Sequence, residues 1–201
     1  MCVHLNFDHR KATQAINFFA NKAGGYINKM KAIKLIYFAD RYHLRKYSRP
    51  ITNDEYFAMP YGPVNSGVKE IAENSDFLAK DEQVYASIFL KVLNQYGMKS
   101  INPVDNKVFS KSDIEALSFA WETFGKYNQY QLADLSHNYP EWKRFKEIIE
   151  SKAQSRVRMN YEDFFEDPGE GFEKCCTLTI VEKEDRIDTI KEIDKINSLR
   201  Y

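Results

Sequence analysis

A single stretch, residues 27–46, sets most of what this chain can fold into. Plotted at 100° per residue, Ile33, Ile36, Tyr37 and Leu44 fall on one face of a helix. Lys31, Lys34, Arg41 and Arg45 fall on the opposite face, within about 80° of one another. The pattern predicts a long amphipathic helix with its apolar side against a core and its basic stripe exposed. Asp40 breaks it, sitting among Ile36, Tyr37 and Leu44. A carboxylate on an apolar face needs hydrogen bonds or a cation, because burying it unpaired is costly. Asp40 is therefore expected to tie the helix to the following loop, with a functional carboxylate as the alternative.

The segments around this helix carry their own punctuation. In residues 10–23, Ala12, Ala15, Ile16, Phe19 and Ala23 recur at helical spacing, with Asp8 as N-cap and Gly24-Gly25 as the stop. Thr52-Asn53-Asp54 signals a turn, and residues 56–61 read as an edge or short strand because Pro60 cannot donate to a ladder. Pro63 suits the first turn of a helix over 64–72. Between 76 and 104 the periodicity fits strand and helix equally, apart from a short strand at 98–101.

Ser110 and Asp113 form a capping box for a helix that runs to Phe124. Helices are expected over 129–136 and from Pro140, and a helical turn at 161–165. Asp167-Pro168-Gly169-Glu170-Gly171 marks a boundary, so residues 1–167 are expected as one domain and 168–201 as an extension. In that extension Cys176, Leu178 and Ile180 alternate like a strand. Ile187, Ile190, Ile193 and Ile196 follow at every third residue, read as an amphipathic helix. The expected fold is mainly α: a compact helical domain with a small antiparallel β element, plus a C-terminal strand–helix extension.

Charge is segregated. The 201 residues balance 29 basic against 29 acidic side chains. Yet residues 10–50 hold ten Lys/Arg and one acid, a net of +9, and residues 161–201 hold twelve Asp/Glu and six Lys/Arg, a net of −6. Either the two ends face each other, or both are solvated faces, or one docks an oppositely charged protein or nucleic acid. A neutral whole argues against a polyanion-binding protein. Hydrophobic content of 43% argues against disorder. Three cysteines, with no C-x-x-C, point to reduced thiols in a cytoplasmic protein. No signal peptide and no membrane span is expected.

Catalytic signatures are missing. His4, His9, His43 and His137 show no metal-ligand spacing, and no phosphate loop or nucleophile elbow occurs. Cys175 and Cys176 stand in an acidic neighbourhood that raises a thiol pKa. Asp40 and His43, three apart on one helix, form the one conceivable acid–base pair. No cofactor, no metal and no enzymatic activity is expected.

Several short blocks occur in order. They are Lys34-Leu35-Ile36-Tyr37-Phe38-Ala39-Asp40, His43-Leu44, Arg49-Pro50-Ile51 and Tyr61-Gly62-Pro63-Val64, then Leu132 to His137, Pro140-Glu141-Trp142 and Tyr161 to Phe165. Together, over about residues 10–166, they resemble the Panacea domain family, which includes SocA-like antitoxins and phage-associated GepA proteins. Ser136 stands where the family usually has Thr. The resemblance implies a mostly helical domain and an antitoxin of a bacterial or prophage toxin–antitoxin pair, which neutralises its cognate toxin by direct protein contact. It also implies a cellular protease as a further partner. A nucleic-acid-binding regulator or a protease adaptor is the alternative function, with an enzyme behind both, and self-association stays open. Leu35, Tyr37, Leu44 and Trp142 are expected in the core, and Tyr61-Gly62-Pro63 in a fixed turn; Asp40, His43, Pro50, Val64 and His137 complete the structural motif. Partner contact is expected on Lys31, Lys34, Arg41 and Arg45 and on the helix of Ile187, Ile190, Ile193 and Ile196.

Overall fold

The computed structural model describes residues 5–169 and 177–198. Helix α1 (His9–Lys22) starts where the Asp8 carboxylate accepts the Lys11 amide at 3.0 Å, and it ends at two glycines with φ of 84° and 96°. Strand β1 (Tyr26–Asn28) leads into α2 (Lys29–Tyr47), whose first turn is capped by the Asn28 side chain. Fourteen of the nineteen residues of α2 are buried, so the helix is enclosed on all sides rather than lying on a surface. Its neighbours are α1, α3 (Ser66–Glu73), α5 (Lys111–Phe124) and α6 (Gln129–Ser136).

Two small antiparallel sheets flank this bundle. The first orders β3 (Gly62–Asn65), β2 (Tyr56–Met59) and β6 (Val157–Arg158), with β2 in the centre. The second orders β1, β5 (Gly97–Ser100) and β4 (Leu90–Val92), and β4 continues directly from α4 (Lys80–Phe89). Short helices α7 (Pro140–Lys143) and α8 (Lys146–Glu150) and a 3-10 turn (Tyr161–Phe165) close the bundle. The last helix, α9 (Ile180–Ser198), lies against that turn. The mainly helical class with small antiparallel sheets is as expected, and the caps at Asp8 and Ser110/Asp113 are in place.

Several local expectations are corrected. Residues 56–59 form a central strand, because Pro60 lies outside the ladder in the Pro60-Tyr61 turn. Pro63 is not in a helix; it pairs with Ala58 on edge strand β3, where a residue without an N–H is tolerated, and the helix begins three residues later. The helix from Pro140 breaks in two. Ile180 opens α9 instead of closing a strand, and Cys176 lies outside the described residues. In α9 a three-residue step turns 300°, so the isoleucines wind around the helix and do not share a face. Ile190 is 2% exposed and Ile196 is 53% exposed. Ile187 packs on the core and Ile193 is half-buried, so the part of α9 expected to meet a partner is largely folded back on its own chain.

Candidate functional site

The largest correction concerns the basic stripe. Lys34, Arg41 and Arg45 are buried, each at 1% exposure or less, and Lys31 is half-buried. Their partners come from the far half of the chain. The Arg41 Nε donates to Glu141 Oε1 at 2.7 Å, and its Nη2 donates to the Glu166 carbonyl at 2.7 Å. The Tyr37 hydroxyl donates to the same Glu141 oxygen at 2.5 Å, and the Tyr139 ring lies 4.6 Å from the guanidinium. Arg45 donates to the Phe164 and Glu166 carbonyls, both at 3.1 Å, and to the Asp167 carboxylate. The stripe thus bolts the 3-10 turn and its exit onto α2. The start of the acidic segment does meet the basic helix, but from inside: Glu166 also accepts from Lys183 at 3.0 Å, and Arg186 donates to Ser48 at the end of α2.

Lys34 and Lys31 are satisfied differently. The Lys34 amine donates to the Pro63 carbonyl at 2.6 Å, and burial drives its pKa well below the usual lysine value. Lys31 donates to the Gly125 carbonyl at 2.6 Å, and burial lowers its pKa too. The hairpin above Lys34 is fixed by Gly62, whose φ is 90°. A Cβ there would stand 2.3 Å from Ser136 Oγ and 2.8 Å from the Lys34 nitrogen, so the β2–β3 hairpin lies directly on α2 and the end of α6. His137 stacks on Trp142 with centroids 4.0 Å apart, and the Trp142 indole donates to the Met59 carbonyl at 3.0 Å. The motif blocks around Lys34, Gly62-Pro63, Ser136-His137 and Trp142 therefore meet in one place. Tyr61, at the hairpin tip, is exposed, whereas Pro50 is buried and Val64 half-buried.

Asp40 is a structural anchor. Its Oδ1 accepts from the amides of Ile51 at 2.7 Å and Thr52 at 3.1 Å. Its Oδ2 accepts from Thr52 Oγ1 at 2.6 Å, the Tyr56 hydroxyl at 2.8 Å and Asn65 Nδ2 at 3.1 Å. Burial raises its pKa against the pull of those bonds. Because Asn65 gives its side chain to Asp40, the N-terminus of α3 is capped instead by Asp54, which accepts the Gly67 and Val68 amides at 2.8 Å each. Burial pushes the Asp54 carboxyl up to about 7.

His43 faces a separate cluster, so it makes no acid–base pair with Asp40. Its Nδ1 lies 2.6 Å from the Arg49 carbonyl and so carries the proton; Nε2 lies 3.0 Å from Ser112 Oγ and 3.2 Å from Asp113 Oδ1. Burial lowers the His43 pKa. Asp113 is held by Lys11 at 2.8 Å and Arg49 at 3.1 Å; burial works to raise its pKa, and these two cations and the Ser110 amide outweigh it.

Sequence reasoning places Asp113 in a cap, Glu141 in a motif block and Asp54 in a turn; it misses that Glu141 and Asp113 pair with buried or half-buried cations and that Asp54 caps α3. For Glu141, an overall demand for acids to match a buried cationic helix is the signal that could have found it. Among the described residues no group of three or more His, Cys, Asp or Glu is placed to hold a metal, and no helix is long and apolar enough to cross a membrane. His4, Cys2, Cys175 and Cys176 lie outside the described residues.

No curated protein and no solved structure matches the chain. A family does. Residues 33–143 match the SocA-like antitoxin, Panacea domain family, a narrower span than the resemblance over about residues 10–166. The matched span starts within α2 and ends at α7, so it takes in the Asp40 anchor, the Gly62 hairpin, α6 and Trp142. It covers more than half of the sequence, and the chain therefore belongs to the Panacea domain family of SocA-like antitoxins.

Proposed function

We propose that the chain is an antitoxin that neutralises a cognate toxin by direct protein–protein contact, without chemistry of its own. Family membership over residues 33–143 carries this reading. The state of the motif residues supports it. Asp40 is consumed by five hydrogen bonds, Glu141 Oε1 is shared by Tyr37 and Arg41, and His43 is held by the Arg49 carbonyl and Ser112. Groups locked in this way build a rigid scaffold, and a rigid scaffold loses little conformational entropy when a partner docks. The test is co-expression with the protein encoded in the adjacent reading frame. Growth arrest by that protein alone, relieved when this chain is present and co-purifies with it, supports the proposal. A non-toxic neighbour, or toxicity that this chain leaves unchanged, overturns it.

A further inference from the structure

The sheet β1-β5-β4 has two unlike faces, and register assigns each residue to one of them. The row Ile27–Met98–Val92 points inward, with Ile27 and Met98 buried. The next row, Tyr26–Lys99–Lys91, points outward. Leu93 and Ile101 each lie two residues further along and share that outer face. The ladder extends to both, since the Leu93 amide donates to the Gly97 carbonyl and the Ile101 amide to Phe89. Tyr26, Leu93 and Ile101 are 47%, 48% and 45% exposed. The patch continues onto α4, where the Ile88 carbonyl accepts from Asn102 beside Ile101 and Ile88 is itself exposed.

Lys91 and Lys99 stand directly opposite each other, an arrangement that destabilises an antiparallel pair. Neither makes an ion pair among the described residues. A lysine on an edge strand guards against stray strand pairing, which accounts for Lys91 on β4. It does not account for Lys99 on the central strand. Tyr26 is fixed beside them: its ring covers Gly97, where a Cβ would stand 2.1 Å from the phenol oxygen. A cleft of about 330 Å³ opens at the rim, under the sheet, lined by apolar Ile71, Leu90 and inward-facing Met98 and by polar Asn74 and Ser87, with Lys91 in its wall.

We propose that this outer sheet face is the docking surface for the protein partner, and that the docking segment of the partner is acidic with an apolar side chain at its centre. The inference rests on the antitoxin reading and names its interface. The two uncompensated ammonium groups call for carboxylates, and the cleft beside them takes the apolar side chain. Lysines next to a tyrosine also suit a nucleic-acid backbone, but the exposed Leu93 and Ile101 favour protein.

The test uses the full chain, the double variant Lys91→Glu/Lys99→Glu, and the exposed control Lys143→Glu outside the sheet. Each is titrated with the protein of the adjacent reading frame and with a single-stranded oligonucleotide, after thermal melts establish that all three fold. The expected result is binding of the neighbour by the unmodified chain and the control, weakened at least tenfold in the double variant. If the double variant binds and protects like the unmodified chain, the interface lies elsewhere and the inference falls while the antitoxin reading stands. If the unmodified chain neither binds nor protects, both fall. Salt-sensitive oligonucleotide binding that the double variant loses, without binding of the neighbour, overturns the acidic protein partner in favour of nucleic acid.

Discussion

Lys34, Arg41 and Arg45 on α2 and Lys91 and Lys99 on the outer sheet are cations in opposite circumstances. The first three are enclosed, and each has an oxygen waiting for it. The last two stand in solvent, face each other, and pair with nothing among the described residues. From the sequence the assignment runs the other way: the helical cations form a stripe that reads as a surface, and the strand lysines draw no notice. The difference teaches that a charged face is a solvent face only when no matching charge is buried with it. For Arg41 that match is Glu141, 100 residues away, and for Arg45 it is Asp167, 122 residues away. Arg41 and Arg45 therefore spend their charge on the fold, and the exposed pair keeps its charge available for a partner.

Removing Glu141 breaks this contrast most severely. Glu141→Ala leaves the Arg41 guanidinium in the core without its carboxylate and takes the acceptor from the Tyr37 hydroxyl. Breaking a buried pair by deleting one partner costs about 3–5 kcal/mol. Against a typical total of about 5–15 kcal/mol, this is a loss that a urea denaturation midpoint reads easily. A shift below about 1 kcal/mol would mean that water reaches the site and that α2 is not enclosed.

Lys34→Met sharpens the comparison from the other side, since it keeps length and removes the amine. In the folded protein burial holds the Lys34 pKa well below 10.5. Between that lowered value and 10.5 the unfolded chain binds more protons than the folded one. Stability supplied by this residue is thus greatest above 10.5 and is lost as pH falls through that window. As pH rises toward 10.5 through that window, the unmodified chain should gain stability by at most about 1.4 kcal/mol per pH unit from this residue. Lys34→Met should lose that gain, with about 1–3 kcal/mol of cost from the unpaired Pro63 carbonyl. Equal slopes of denaturation midpoint against pH in the two proteins would show that Lys34 stays charged and solvated.

What the sequence made legible follows the same division between local and distant causes. Asp8 and the Ser110/Asp113 box satisfy orphan amides within three residues, so α1 and α5 could be placed from the chain alone. Asp40 was legible as an anchor because a carboxylate among Ile36, Tyr37 and Leu44 has no other stable fate. Residues 80–92 were not, because the chain changes from helix to strand between Phe89 and Leu90 without a Gly or Pro to mark it, whereas the short strand expected at 98–101 is present as β5. Pro63 misled because an edge strand tolerates proline as readily as a first helical turn does. The candidate docking face was hidden altogether, since Lys91 and Lys99 become neighbours only through the β4–β5 register.

The smallest effect tests the exposed side of the comparison. Lys99→Glu places a carboxylate on the central strand, between Tyr26 and Lys91, in a row that is otherwise unchanged. Replacing a facing like-charge pair with an opposite-charge pair contributes roughly 0.2–1 kcal/mol in favour of the sheet. Lysine and glutamate are similarly poor strand formers, so backbone preference does not offset the gain. The variant should therefore be slightly more stable than the unmodified chain in low salt, and the advantage should shrink as salt is raised. The same substitution removes one of the two cations proposed to meet an acidic partner. A protein that gains stability while losing affinity at one residue has that residue retained for binding. If Lys99→Glu instead destabilises the sheet, the lysine pair supports the fold, and the contrast with the buried cations of α2 loses its exposed half.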